Sequence, residues 1–111
     1  MTSFSLAVVE ASGSARLVLR GELDTASTPA ASRALLELLE RGYDRVILDL
    51  SELDFMDSMG VKFLVDARDR AHQLGIKIVL AYSEGVVERV LIVSGVVTLF
   101  ERLDGPRDPA D

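Results

Sequence analysis

The sequence predicts an α/β domain: a small mixed β-sheet that begins with an antiparallel hairpin and carries about three to four packed helices. Three observations predict it. Two strand-like stretches, 3–11 and 15–21, are separated only by the turn signal Ser12-Gly13-Ser14. After them, stretches of helical period alternate with short, nearly all-apolar runs, and strand, helix and strand in succession imply parallel pairs with right-handed crossovers. Finally, 111 residues, 49% of them hydrophobic, suffice for one domain whose core needs no covalent staples.

Each element has its own justification. In 15–21, Leu17 and Leu19 fall on one side and Val18 and Arg20 on the other, as a strand requires. Thr28-Pro29 is a cap residue followed by proline at the first helical position. Leu35, Leu36, Leu38 and Leu39 then form an apolar stripe, and Gly42 stops the helix. "RVILDL" (45–50) has the composition of a strand with neighbours on either side. Val61, Leu64, Val65, Ala67, Ala71 and Leu74 recur at helical spacing from Ser58 onward, and Gly75 ends that helix. "IKIVLAY" (76–82) is another buried strand. Ser83 is expected to cap a helix carrying Val86, Val87, Val90, Leu91 and Val93, closed by Gly95, and "VVTLFER" (96–102) to be a last strand. The order is ββαβαβαβ, one domain over 1–111 folded from about 4 to 103. Residues 104–111, with two prolines, are expected to be a frayed tail.

Composition narrows the function. There is no cysteine, which removes disulfides, thiolate metal sites and cysteine nucleophiles, and the single histidine, His72, rules out a histidine cluster. Lys and Arg number 12 against 18 Asp and Glu, a formal charge of −6, with no dense basic run. Such a chain repels phosphate backbones and anionic membranes, so neither direct nucleic-acid binding nor membrane insertion is expected. The N-terminus lacks the pattern of a signal peptide, and no apolar run approaches the ~20 residues of a membrane span. The expected compartment is the cytoplasm.

The sequence lacks both glycine-rich phosphate cradles, G-x-x-x-x-G-K-[ST] and G-x-G-x-x-G, and no cofactor is expected. Asp49 in "VILDLSEL" lacks the second aspartate that a phosphatase strand needs two residues on, where Ser51 stands, so Asp49 reads as a core residue. "MDSMG" (56–60) sets a serine between strand and helix, but Met56 occupies the first glycine position of an esterase elbow. The nearest base, His72, lies roughly 20 Å along the same helix from Ser58, beyond hydrogen-bond reach. The chain is expected not to be an enzyme.

Ser58 before "MGVKFLV" suits a helix N-cap. It also suits a modification site. The preceding loop carries Phe55 and Met56, apolar residues expected near the surface, and a helix N-terminus suits a phosphate. Lys62 lies one turn along the same face, where its ammonium approaches a phosphate on Ser58, while Asp57 opposes that charge. Phe63 lies roughly 100° off the apolar axis of the helix, either as an exposed anchor or tucked against the loop.

"RGELDTAS" (20–27), "VILDLSELDFMDSMGV" (46–61) and "GVVERVLIVSGV" (85–96) resemble the STAS domain of bacterial anti-sigma factor antagonists, over roughly residues 4–103. In that family's D-S/T-S/T-G-L-G motif the first hydroxyl residue is phosphorylated. It matches Ser58, with Asp57 before it and Gly60 after it, and the family's loop carboxylate near the phosphosite matches Asp24. Met59 and Lys62 depart from the pattern, replacing the second hydroxyl and the second glycine. The resemblance implies a STAS-like fold and partner switching. The unphosphorylated antagonist binds an anti-sigma factor that is also a serine kinase, sigma factor is released, phosphorylation ends binding, and a serine phosphatase resets the cycle.

The expected contact surface is Asp24, Phe55, Met56, Asp57, Met59, Gly60, Lys62 and Phe63 around Ser58. Parallel neighbouring strands would bring the two loops together. The alternative is a non-switching STAS scaffold or transporter-associated module, in which Ser58 is only a cap. A neighbouring kinase gene would favour the switch and a transporter operon the scaffold.

Overall fold

The two strand-like stretches on either side of Gly13 close into a hairpin. In the computed structural model, which describes residues 4–103, β1 (Phe4–Ala11) and β2 (Ser14–Leu23) pair antiparallel, from Phe4 opposite Gly21 to Ala11 opposite Ser14. Gly13 turns the chain at a φ of 75°, a left-handed conformation that costs glycine little. The remaining elements are α1 (Thr28–Leu39), β3 (Arg45–Met56), α2 (Ser58–Leu74), β4 (Lys77–Ala81), α3 (Val86–Ser94), a 3-10 turn (Val96–Leu99) and β5 (Glu101–Arg102). The sheet runs β1-β2-β3-β4-β5, and every pair after the hairpin is parallel. This is the expected mixed sheet, with three α-helices among the described residues.

Leu17 and Leu19 of β2, Val46, Leu48 and Leu50 of β3 and Leu80 of β4 are almost wholly buried. Leu35 and Leu38 of α1, Leu64 and Ala67 of α2 and Leu91 of α3 join them in one core. Asp49, on the alternate side of β3, is a structural residue. Its Oδ2 accepts from Arg16 Nη1 at 2.8 Å, and its Oδ1 accepts from the Ser51 amide at 2.9 Å and hydroxyl at 2.6 Å. A buried carboxylate whose two oxygens both accept hydrogen bonds is a satisfied part of the structure.

Four expectations need correction. β3 does not end at Leu50. It continues to Met56 because β2 runs beside it to Leu23, through register shifts between Val18 and Arg20 and between Gly21 and Glu22. "VVTLFER" is mostly not strand. Gly95 ends α3 at a φ of 82°, the Thr98 amide donates to the Gly95 carbonyl at 3.1 Å, and the resulting turn drives Val96 into the core, leaving two residues to pair with β4. There, Lys77 pairs with Glu101 at 2.8 Å and holds that carboxyl below its usual range. Ser83 is not the cap of α3, which starts after Gly85. The residue before α1 is Ser27 rather than Thr28, with Pro29 still in the first turn. The expected frayed tail, 104–111, lies outside the described residues.

Candidate functional site at the mouth of helix α2

Parallel pairing carries the ends of β2 and β3 to one place. Glu22 faces Phe55, Leu23 faces Met56, and the Asp57 amide donates to the Leu23 carbonyl at 3.2 Å. The two loops singled out in the sequence are therefore neighbours.

Asp24 is half-buried and holds its own loop together. Its Oδ1 accepts from the Ala26 amide at 3.0 Å and the Ser27 amide at 3.1 Å. The Ser27 hydroxyl, which donates to the Glu22 carbonyl at 2.7 Å, locks the turn further. Asp24 is thus placed beside the second loop as a rigid part of the surface.

The second loop differs from expectation at its centre. Ser58 is not the cap of α2; Asp57 is. The Asp57 backbone is extended (φ −110°, ψ −167°), and its Oδ1 accepts from the Met59 amide at 2.9 Å and the Gly60 amide at 3.4 Å. Ser58 is the first helical residue. It is exposed, and its hydroxyl makes no hydrogen bond among the described residues. Asp57→Ala should therefore cost about 1 kcal/mol of stability and Ser58→Ala close to nothing. Urea unfolding of the two variants checks this, and the reverse order would return the cap to Ser58.

The remaining expected contacts divide by burial. Phe55 is 41% exposed and Met59 36%, and Lys62 is also exposed. Met56, at 1%, and Phe63, at 5%, belong to the core, which corrects the surface placement of Met56 and decides against Phe63 as an exposed anchor. Met56 is drawn inward because, as the last residue of β3, it lies beneath the first turn of α2. Gly60 is buried there too. A Cβ on it would stand 2.3 Å from Met56 Cγ and 3.2 Å from Leu23 Cδ2, so glycine is what lets the helix start sit on the β2–β3 end. Lys62 does not turn to Ser58. Its Nζ donates to Asp66 Oδ2 at 2.8 Å, one turn toward the C-terminus.

Two grooves flank the start of α2. One, about 440 Å³, is lined by Met56, Asp57, Ser58 and Val61 on one wall and by Val86, Arg89, Val90, Val93 and Ser94 of α3 on the other. The second, about 220 Å³, lies toward α1 and is lined by Thr28, Pro29, Ser32, Met59, Lys62, Phe63 and Asp66. Sequence reasoning named Val86 and Val93 only as apolar residues carried by this helix and did not read them as part of a site. They are 56% and 81% exposed. The available signal was an excess: Val86, Val87, Val90, Leu91, Ile92 and Val93 put apolar residues on more of α3 than one packed face can cover.

Among the described residues no group of three or more His, Asp or Glu side chains is placed to hold a metal, and no helix is long and apolar enough to cross a membrane. Ser58 and His72 stand at opposite ends of α2, so His72 is out of reach as a base for the serine.

The profile of the STAS domain matches residues 5–105. The chain is 27% identical over 82 residues to the candidate anti-sigma factor antagonist BtrV of Bordetella bronchiseptica, covering 74% of this chain and 71% of that protein. An anti-sigma factor antagonist from Mycobacterium paratuberculosis superposes with a TM-score of 0.84 at 19% identity, over 94% of this chain and 88% of the other. The anti-sigma factor antagonist SpoIIAA in its unphosphorylated form superposes with a TM-score of 0.74 at 20% identity, over 93% and 90%. SpoIIAA is also solved in a phosphorylated form, which superposes with a TM-score of 0.67 at 19% identity, over 93% of each chain.

Proposed function

Because this chain belongs to the STAS domain family, we propose that it is an anti-sigma factor antagonist switched by phosphorylation of Ser58. Unphosphorylated, it binds an anti-sigma factor that is also a serine kinase and so frees a sigma factor. The kinase transfers the γ-phosphoryl group of ATP to Ser58 Oγ. The new O–P bond forms as the bond to the β-phosphate breaks, ADP leaves, and the hydroxyl proton passes to a base of the kinase. The modified antagonist dissociates, and a serine phosphatase resets it. Throughout, the chain is substrate and binding surface in the cytoplasm, and the chemistry belongs to its partners.

One observation carries this reading: the Ser58 hydroxyl is exposed and structurally unemployed, because Asp57 already caps α2. A serine kept only for helix capping would be bonded to an amide of the first turn. The surface around it comprises the exposed Phe55, Met59 and Lys62 and the half-buried Asp24 and Asp57, while Met56, Gly60 and Phe63 are buried.

Incubation with the cognate anti-sigma kinase and ATP, followed by mass spectrometry, should place one phosphate on Ser58, and Ser58→Ala should abolish it without moving the unfolding midpoint. Phosphate on Thr25, Ser51 or Ser83 instead would refute the assignment. Ser51 is a poor competitor, since its hydroxyl already donates to Asp49.

A further inference from the structure

We infer that Arg89, on the facing helix α3, receives the phosphate of modified Ser58 within the same molecule and bridges the groove between the two helices. The inference rests on Ser58 being the modified residue and adds what the modification does to the surface.

Three observations carry it. Ser58 and Arg89 line opposite walls of one open groove, so a guanidinium from α3 and a phosphate on α2 share the same space. Arg89 is exposed, and its guanidinium has no ion pair or hydrogen bond among the described residues, so no existing tie has to break. Arg89 is also the one cation in that lining. Lys62, the cation nearer in sequence, is held by Asp66 and lines the other groove.

The chemistry fits this pairing. A phosphoserine carries about −1.5 to −2 charges, and an arginine fork engages two phosphate oxygens at once, which an ammonium does not. Asp57, on the same wall as Ser58, repels the phosphate and favours the direction across the groove. Val61, on the wall of Ser58, and Val90, on the wall of Arg89, line the same groove. A bridge from Ser58 to Arg89 would span them and close an apolar slot that is open in the unmodified protein.

The test does not depend on any kinase. Phosphoserine is installed at position 58 during synthesis, and the phosphate is titrated by phosphorus NMR in the intact protein. The second phosphate pKa should lie about half a unit below that of a phosphoserine peptide of residues 55–61. Arg89→Gln should return it to the peptide value, and Lys62→Gln should leave the lowered value in place. Val90 and Val93 methyl shifts should move on phosphorylation in the parent and stay in Arg89→Gln. A lowered pKa that survives Arg89→Gln, or one abolished by Lys62→Gln, would overturn the inference, as would a parent value equal to the peptide's. Failure here leaves the phosphorylation assay untouched, whereas failure of that assay leaves the installed phosphate measurable.

Discussion

Phe63→Ala is expected to lower the unfolding midpoint by more than about 12 °C, while Phe55→Ala leaves it nearly in place. The two rings lie eight residues apart around the same serine but in different surroundings. Phe63 is 5% exposed and packed into the core, and truncating a buried phenylalanine costs about 3–5 kcal/mol. In a domain near 100 residues each kcal/mol moves the midpoint by about 4–8 °C. Phe55 is 41% exposed, so little packing is lost when it is cut back. Partner binding should show the opposite ranking. An exposed aromatic three residues before Ser58 suits an interface anchor, and its loss should weaken binding about tenfold or more. Phe63→Ala, assayed well below its lowered midpoint, should bind close to the parent. Calorimetric unfolding and titration of both variants decide the matter. A Phe63→Ala protein with the parent's midpoint would show that ring to be peripheral.

The difference between these rings shows where sequence reasoning succeeds and where it stops. The existence and C-terminal end of helix α2 were legible, because its apolar spacing and Gly75 are local signals. Phe63 was ambiguous because the helical stripe was read against one packing surface. In the fold, α2 packs on the sheet and also beside α1, so two faces of it are covered. The outer half of β3 was hidden for a related reason. Ser51, Glu52 and Asp54 have the composition of a loop, and only the neighbouring Arg20, Gly21 and Glu22 of β2, some 30 residues away in the chain, make that segment a strand. The neighbourhood of the two loops was legible, since parallel strands carry their ends to one side. The cap was misplaced by one residue because both Asp57 and Ser58 have capping side chains, and the choice rests on a backbone angle that composition does not encode. Arg89 was invisible for want of any local cue: its relation to Ser58 exists only once α3 lies across from α2.

Phosphorylation of Ser58 is expected to weaken binding of the anti-sigma kinase more than a hundredfold while leaving the circular dichroism of the free protein unchanged. The fold has no reason to respond, since the Ser58 hydroxyl supports nothing internal and the cap of α2 belongs to Asp57. The interface has every reason to respond. A group of about −1.5 to −2 charges must be stripped of water to enter a packed contact, and it meets Asp57 there. Losing two well-packed contacts at such a centre costs about 3 kcal/mol, which is the stated fold-change. Ser58→Ala should bind like the parent, because it removes only an unpaired hydroxyl. Ser58→Asp should fall between the two, since a single charge one bond shorter reproduces neither the bulk nor the full charge of the phosphate. Calorimetry at fixed salt orders the three forms. Equal affinity for Ser58→Ala and the phosphorylated protein would remove the switch and leave the surface around α2 as a constitutive scaffold.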